Sequence, residues 1–418
     1  MTLDERLAIM SELTPVCETG EENEIMSVLN KHFYSLGTAR SIFCVKDPKY
    51  ERDFLPPSRD FMGKGYLHSF LASRRIMNVK NRGEGGRWSY TYTISFDTNF
   101  PSYLRSRAQG RALGALDGAI SECLKFLAPH RSGIDIMPYL FENAERIDST
   151  PVWETLHAYL SFMHADQDTL AASGVIECIL PQHELIKILE ETLRGIRGGE
   201  WQMLAKHAQT NWAVAYIVLL VASAVHLAHP KKSAGYRLQK LLSFLDAEVG
   251  IIPQQEVFFA HAFFERGNQE KFFRHIQANA KQLCRTLRNM AWDLAHPRTI
   301  LDLTGAVARG VPEHADFVIP YILTFDQPVR ALYDGFQANG IISYFDDGLK
   351  LQPIFPMNVH TSISDAIRGN SEEYFDANRI KARLKRGEEF NDAKRTEVIA
   401  SAESYLETSL NASKKLIV

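Results

Sequence analysis

The 418-residue chain holds only five cysteines, Cys17, Cys44, Cys123, Cys178 and Cys284. They are scattered, odd in number and never form a CxxC pair, which argues against a zinc ribbon and against a disulfide framework. A reducing, cytoplasmic setting is the expectation. Charge of one sign is also scarce, since 47 Lys and Arg stand against 50 Asp and Glu. Any nucleic acid would therefore be held in a local basic groove and not by bulk charge. The most apolar run, Trp212–Val225, covers 14 residues, short of the roughly 20 that span a bilayer. It reads as a buried core helix, with no membrane partner. The opening MTLDERLAIMSEL carries acidic residues where a secretory signal needs basic ones, so export is not expected. No fixed-period repeat, GxSxG elbow, HExxH, Walker A or strand-borne GxGxxG occurs.

What is present is ordinary globular material: 45% hydrophobic and 23% charged residues suffice for a packed core, and the length suggests two domains or one with a large insertion. Residues 1–85 read as a mixed α/β extension with an opening helix, a polar stretch DPKYERDFLPPSRD, and a run from Tyr66 to Val79 that fits helix or strand. Asn81–Gly86 is a turn signal without the Lys-Ser/Thr of a phosphate loop. After it, Tyr90, Tyr92, Ile94 and Phe96 alternate with Thr91, Thr93 and Ser95, a strand ending at Asp97.

From about 102 to 296 apolar residues recur at three- and four-residue steps, predicting helices over 103–127, 151–163, 181–194, 201–207, 211–228, 234–247, 254–265 and 268–295. FVIPYILTFD, Phe317–Asp326, reads as a buried strand, followed by a helix over 329–339 and a strand near 340–344. From Ser371 onward nine acidic and nine basic residues suggest exposed helices, with RIKARLKR (379–386) a solvated face or a partner-binding surface. His226 and His229, three apart on a helix, lack a third ligand motif and read as helix-end packing.

Two strands far apart in sequence thus end alike, SFDTN at Asp97 and LTFDQ at Asp326. In an open parallel sheet the carboxyl ends of strands face one crevice, where such carboxylates converge. Convergent carboxylates repel unless a cation lies between them, and hard oxygen ligands favour Mg²⁺ or Mn²⁺. Each Asp is also a good helix cap, the simpler reading of either residue alone.

Asp97 with Asn99, Asp293 in RNMAWDLAHPR, and Thr324 with Asp326 together resemble the PIN-like metal-dependent nucleases. The resemblance implies an α/β fold: a PIN-like parallel-sheet nuclease core in two parts, 86–150 and 281–370, with a large all-helical insertion or subdomain over 151–280 and a charged helical C-terminal segment over 371–418. It implies a Mg²⁺ or Mn²⁺ site formed by Asp97, a helix Glu, Asp293 and Asp326, with Asn99 and Thr324 in support. Glu142 in IMPYLFENAER is the chosen helix Glu, with Glu177 and Glu256 as alternatives, and Asp302 substitutes for Asp293. The implied activity is endoribonucleolytic cleavage, in the manner of a toxin or antiviral defence effector, with RNA as partner and a regulatory protein or second copy possible. Arg105, Arg107, Arg111, Arg288 and Arg298 are the expected contacts to substrate phosphate. The rival is a non-enzymatic helical interaction protein, or an inactive RNA-binding relative of the nuclease fold.

Overall fold

The computed structural model describes residues 3–36, 40–46, 56–72, 76–80, 90–307, 317–334, 337–345, 349–354, 374 and 376–417. The turn signal at 81–86 and most of the polar stretch 47–60 lie outside them. The protein is mostly helical, with mixed sheets of parallel and antiparallel strands, an α/β fold with a helical part. It divides into two compact units, one formed by Ile9–Ala208 with His296–Phe355, the other by Thr2–Ala8, Gln209–Ala295 and Pro356–Val418. The boundary thus falls inside three helices, after Ala8, Ala208 and Ala295, and the C-terminal segment belongs to the second unit.

The chain opens with helices α1 (Leu3–Thr19), which enters the first unit at Ile9, α2 (Glu22–Lys31) and the single turn α3 (Phe33–Leu36). Strands β1 (Arg40–Cys44), β2 (Arg59–Phe61), β3 (Gly65–Ser69), β4 (Ile76–Lys80) and β5 (Tyr90–Phe96) follow. Next come α4 (Asn99–Ala108), α5 (Asp117–Leu127), the two-residue β6 (Ile134–Asp135) and α6 (Met137–Glu142). Helices α7 (Thr150–Met163), α8 (Gln167–Ser173) and α9 (Gln182–Ile196) lead into α10 (Gly199–Ala228). The second unit continues with α11 (Ala234–Phe244) and α12 (Gln254–Arg266) and reaches α13 (Leu283–Val307). The chain then forms β7 (Phe317–Thr324), α14 (Gln327–Asp334), β8 (Gly340–Phe345) and β9 (Leu349–Ile354), and ends with α15 (Ala377–Glu388) and α16 (Asp392–Ile417).

Several expected elements change shape for local reasons. The helix expected over 103–127 is two, because Gly110 and Gly114 sit at φ +69° and +58°, a backbone only glycine adopts without strain. The run 66–79 resolves into β3 and β4. The helix expected to stop before Pro297 starts later, at Leu283, and continues through that proline to Val307; a proline removes one backbone donor, and the surrounding packing outweighs that loss. Residues 267–269 and 271–275 form 3₁₀ turns in place of the start of the expected helix. The segments 201–207 and 211–228 are one 30-residue helix.

Two sheets organise the first unit. One, ordered β4-β1-β8-β9, is antiparallel throughout, and its apolar core joins Ile9, Leu13 and Ile25 to Phe43, Ile342 and Ile354. The other, ordered β2-β3-β7-β5-β6, has a parallel centre, with β5 beside both β7 and β6, while β3 and β2 add on antiparallel. Alternation along β5 sends Ile94 and Phe96, neither exposed at all, into a core with Leu67, Leu323, Phe100 and Ile120, leaving Thr93 and Ser95 for the other face. Strands β5 and β7 are neighbours with different onward routes: the chain after β5 returns to this sheet as β6, and the chain after β7 moves to the other sheet as β8.

In the second unit every residue of α10 from Ala213 to Val225 is buried. The helix is long and apolar enough to cross a membrane by length and composition, beyond what its 14-residue apolar run suggests. Within this unit it is enclosed: Trp212 stacks near Tyr216 and Trp292, His226 lies on Phe263, and Ser413 Oγ donates to the Leu227 carbonyl at 2.8 Å. The basic run on α15 also turns partly inward, since Arg379, Arg383 and Arg386 all pair with the buried Asp246.

Candidate acidic site at the strand ends

Asp97 directly follows β5 and Asp326 is the second residue after β7, and the parallel register that pairs Phe96 with Leu323 places both at one end of the seam. The Asp97 N–H donates to the Leu323 carbonyl at 3.0 Å. Each carboxylate also starts a helix. Asp97 Oδ1 accepts from the Asn99 and Phe100 N–H groups, both at 3.1 Å, and Asp326 Oδ1 accepts from the Val329 N–H at 3.3 Å. These are capping bonds that satisfy the orphan donors of α4 and α14.

Capping alone leaves the depth of the site unexplained. Asp97 is 7% exposed, and burial pushes its carboxyl up to about 6. The Thr324 hydroxyl and the Phe100 and Asn99 amides oppose that rise, while the Asp326 carboxylate adds to it. Glu142, at the end of α6, is raised as well, first by burial and in smaller part by Asp97, against the Thr98 hydroxyl that bonds it and the Arg146 charge. Tyr103, one turn beyond Asn99 on α4, is raised by burial and then by Asp97 and Asp326. Its ring meets Phe325 edge-on at 5.8 Å, and Phe325 in turn stacks on Phe100 at 5.4 Å. One local site therefore gathers Asp97, Asp326, Glu142, Thr98, Thr324 and Tyr103.

The structure brings Glu142 to this place. Glu177 is exposed in the loop after α8, and Glu256 lies on α12 of the second unit. Asp293, on α13, belongs to the second unit, whereas Asp302 on the same helix pairs with His207 at 3.0 Å. The expected phosphate contacts are largely engaged elsewhere. Arg105 donates to the Pro151 carbonyl, and Arg107 to the Asp117 carbonyl and Ser121 Oγ. Arg288 lies in the second unit against Glu403 and Tyr216. Arg298 is half-buried on α13, and Arg111 is exposed in the loop after α4.

Two participants escaped the sequence reading. Tyr103 carries a signal only in hindsight, its spacing of three from Phe100 on one helix face. Asp135 is the last residue of β6, which lies beside β5 on the side away from β7. Its Oδ2 accepts from Thr93 Oγ1 at 2.9 Å and Ser95 Oγ at 2.8 Å, its Oδ1 from the Met137 N–H at 2.9 Å, and burial raises it. A two-residue strand has no readable alternation.

As a ready-made metal cage the site is incomplete: among the described residues, no three His, Cys, Asp or Glu are gathered so as to hold a metal ion. The chemistry of the donors nevertheless suits Mg²⁺ or Mn²⁺. Magnesium is commonly held by one or two carboxylates, its remaining positions filled by water and substrate phosphate. Asp97 Oδ2 has a second lone pair beyond the one that Thr324 occupies. The chain matches no protein-family model, no curated protein and no solved structure.

Proposed function

We propose that this protein is a Mg²⁺- or Mn²⁺-dependent phosphodiesterase, an endoribonuclease built on a PIN-like core. The observation that carries the reading is the pairing of Asp97 and Asp326 at the carboxyl ends of adjacent parallel strands, with Glu142 alongside. Adjacent strands with divergent onward routes are where open α/β sheets bind ligands. Independent caps would not need to share such a place, nor would they need burial that raises a carboxyl to about 6. Asp97 and Asp326 would hold a divalent ion, which would supply Lewis acidity to a bound water and to the phosphoryl group.

The chain's own groups have separate tasks in this reading. Asp97 and Asp326 bind the ion. Glu142, bonded by Thr98 beside Asp97, orients the attacking water. Thr324 fixes Asp97 Oδ2, and Thr98 fixes Glu142. Asn99 is exposed at the start of α4 and faces incoming substrate. A toxin or defence role fits such an activity.

Mn²⁺ titration followed by electron paramagnetic resonance tests the reading without any substrate. One saturable class of sites that disappears in Asp326→Asn is the expected result, and equal binding in that variant would refute it.

A further inference from the structure

The sequence-expected arginines leave open which cation holds the substrate backbone, and the β2–β3 hairpin offers an answer. Its tip, Phe61-Met62-Gly63-Lys64-Gly65, reaches the same end of the sheet as Asp326, because β3 runs antiparallel to β7 with Tyr66 opposite Thr324. The tip is fixed at several points. Gln327 Nε2 donates to the Lys64 carbonyl at 2.9 Å, one residue from Asp326. Gly65 lies flat on Phe325, where a Cβ would come within 2.4 Å of the ring, so only glycine lets the strand approach so closely. The Gly63 N–H donates to Asp60 Oδ1 at 2.6 Å, and Arg330 of α14 both pairs with Asp60 at 2.5 Å and covers the Tyr66 ring at 4.3 Å.

Such a tip is unusual for a mere connection. Met62 adopts φ +53° and is 67% exposed. A non-glycine residue in the left-handed region is uncommon, and held strain of this kind gathers at functional sites. Two residues on, Lys64 is exposed, and among the described residues it has no ion-pair partner, although Asp97 and Asp326 lie at the adjoining strand ends. An exposed lysine whose backbone is anchored beside an acidic crevice, with no carboxylate paired to it, is available to an anion that the crevice itself would repel.

We propose that the β2–β3 hairpin is a clamp for the sugar-phosphate backbone of a polynucleotide, with Lys64 contacting a phosphate next to the one cleaved. This rests on the nuclease reading, deepens it, and moves backbone recognition away from Arg105 and Arg107. Phosphate contacts of this type position a substrate and carry no base preference. Lys64→Gln therefore weakens binding uniformly across sequences.

The test uses the full chain and a labelled 20-nucleotide single-stranded RNA, with DNA of the same sequence as a second arm. Binding is measured in EDTA over a range of KCl concentrations, and cleavage in MnCl₂. Lys64→Gln is expected to weaken binding roughly fivefold and to reduce the slope of log K against log salt by about 0.7. Lys64→Arg should restore both, and melting temperatures should not differ. Equal loss on RNA and DNA identifies the phosphate as the contact, whereas a loss confined to RNA would overturn a pure backbone clamp. An unchanged salt slope in Lys64→Gln with wild-type cleavage intact overturns the clamp alone. Lys64-dependent binding without metal-dependent cleavage overturns the nuclease reading alone, and a wild type that neither binds nor cleaves either polymer overturns both.

Discussion

The Thr324 hydroxyl donates to Asp97 Oδ2 at 2.5 Å, and its oxygen accepts from the Asp326 N–H at 3.0 Å. One side chain thus holds both strand-end aspartates, the first by its carboxylate and the second by its backbone. The buried Asp97 carboxylate has hydrogen bonds on both oxygens, which limits the cost of placing it where water is scarce. Its position, in turn, is set from β7 and from the first turn of α4 together.

Thr324→Val removes that hydroxyl while keeping the shape of the side chain. It leaves Asp97 Oδ2 and the Asp326 N–H each one partner short, a loss of about 1–3 kcal/mol. Thr324→Ser should recover most of it. Chemical denaturation of the three proteins checks this, and equal stability of the valine variant would show that water replaces the hydroxyl.

Asp97→Asn and Asp97→Ala should part company. Asparagine still accepts from the Asn99 and Phe100 amides and carries no buried charge, so stability at neutral pH should be unchanged or higher, while metal-dependent cleavage is lost. Alanine removes the cap of α4 and should cost about 1 kcal/mol. Thermal unfolding separates the two, and a clear destabilisation by asparagine would indicate a purely structural carboxylate.

The pH dependence has a definite sign. The Asp97 carboxyl lies near 6 in the folded protein, above its ordinary 3.8, so the folded state binds more protons than the unfolded one across that window. Asp97 therefore lowers stability as pH rises from about 4 to 6, and its unfavourable contribution is complete above 6. Asp97→Asn should flatten this part of the profile. A bound divalent cation favours the ionised form, so MgCl₂ should raise the melting temperature more at pH 7.5 than at pH 5. Equal shifts at the two values would place the ion elsewhere.

In the second unit, Leu220→Ala on α10 opens a cavity at a fully buried position and should cost about 2–5 kcal/mol. Limited proteolysis of the wild type should spare residues 210–226. Rapid cleavage within that span would show the helix to be less enclosed than the structure has it.

The legible parts of the sequence were those with a strong local pattern. Alternation marked Tyr90–Phe96, and a compact aromatic and β-branched run marked Phe317–Thr324, so the matched ends at Asp97 and Asp326 could be seen. Both aspartates cap helices, and the residue that starts each helix also leaves the sheet, so both carboxylates sit at one end of the β5–β7 seam. The two-residue β6 was beyond reading, and Asp135 with it. Asp293 stood out by its neighbourhood in sequence, and a 25-residue helix that passes through Pro297 carries it, within the second unit. The arginines on α4 could not be assigned from spacing, since their partners, Pro151, Asp117 and Ser121, come from other elements of the fold.

The most direct measurement is cleavage of a labelled single-stranded RNA by the purified full chain in MnCl₂ and in EDTA, with Asp326→Asn and Asp97→Asn run beside the wild type. Cleavage by the wild type that requires Mn²⁺, is abolished by EDTA, and falls by at least about a hundredfold in both variants is the predicted result. Variants as active as the wild type, or a wild type inert with the metal present, would contradict the assignment of Asp97 and Asp326 as the catalytic pair.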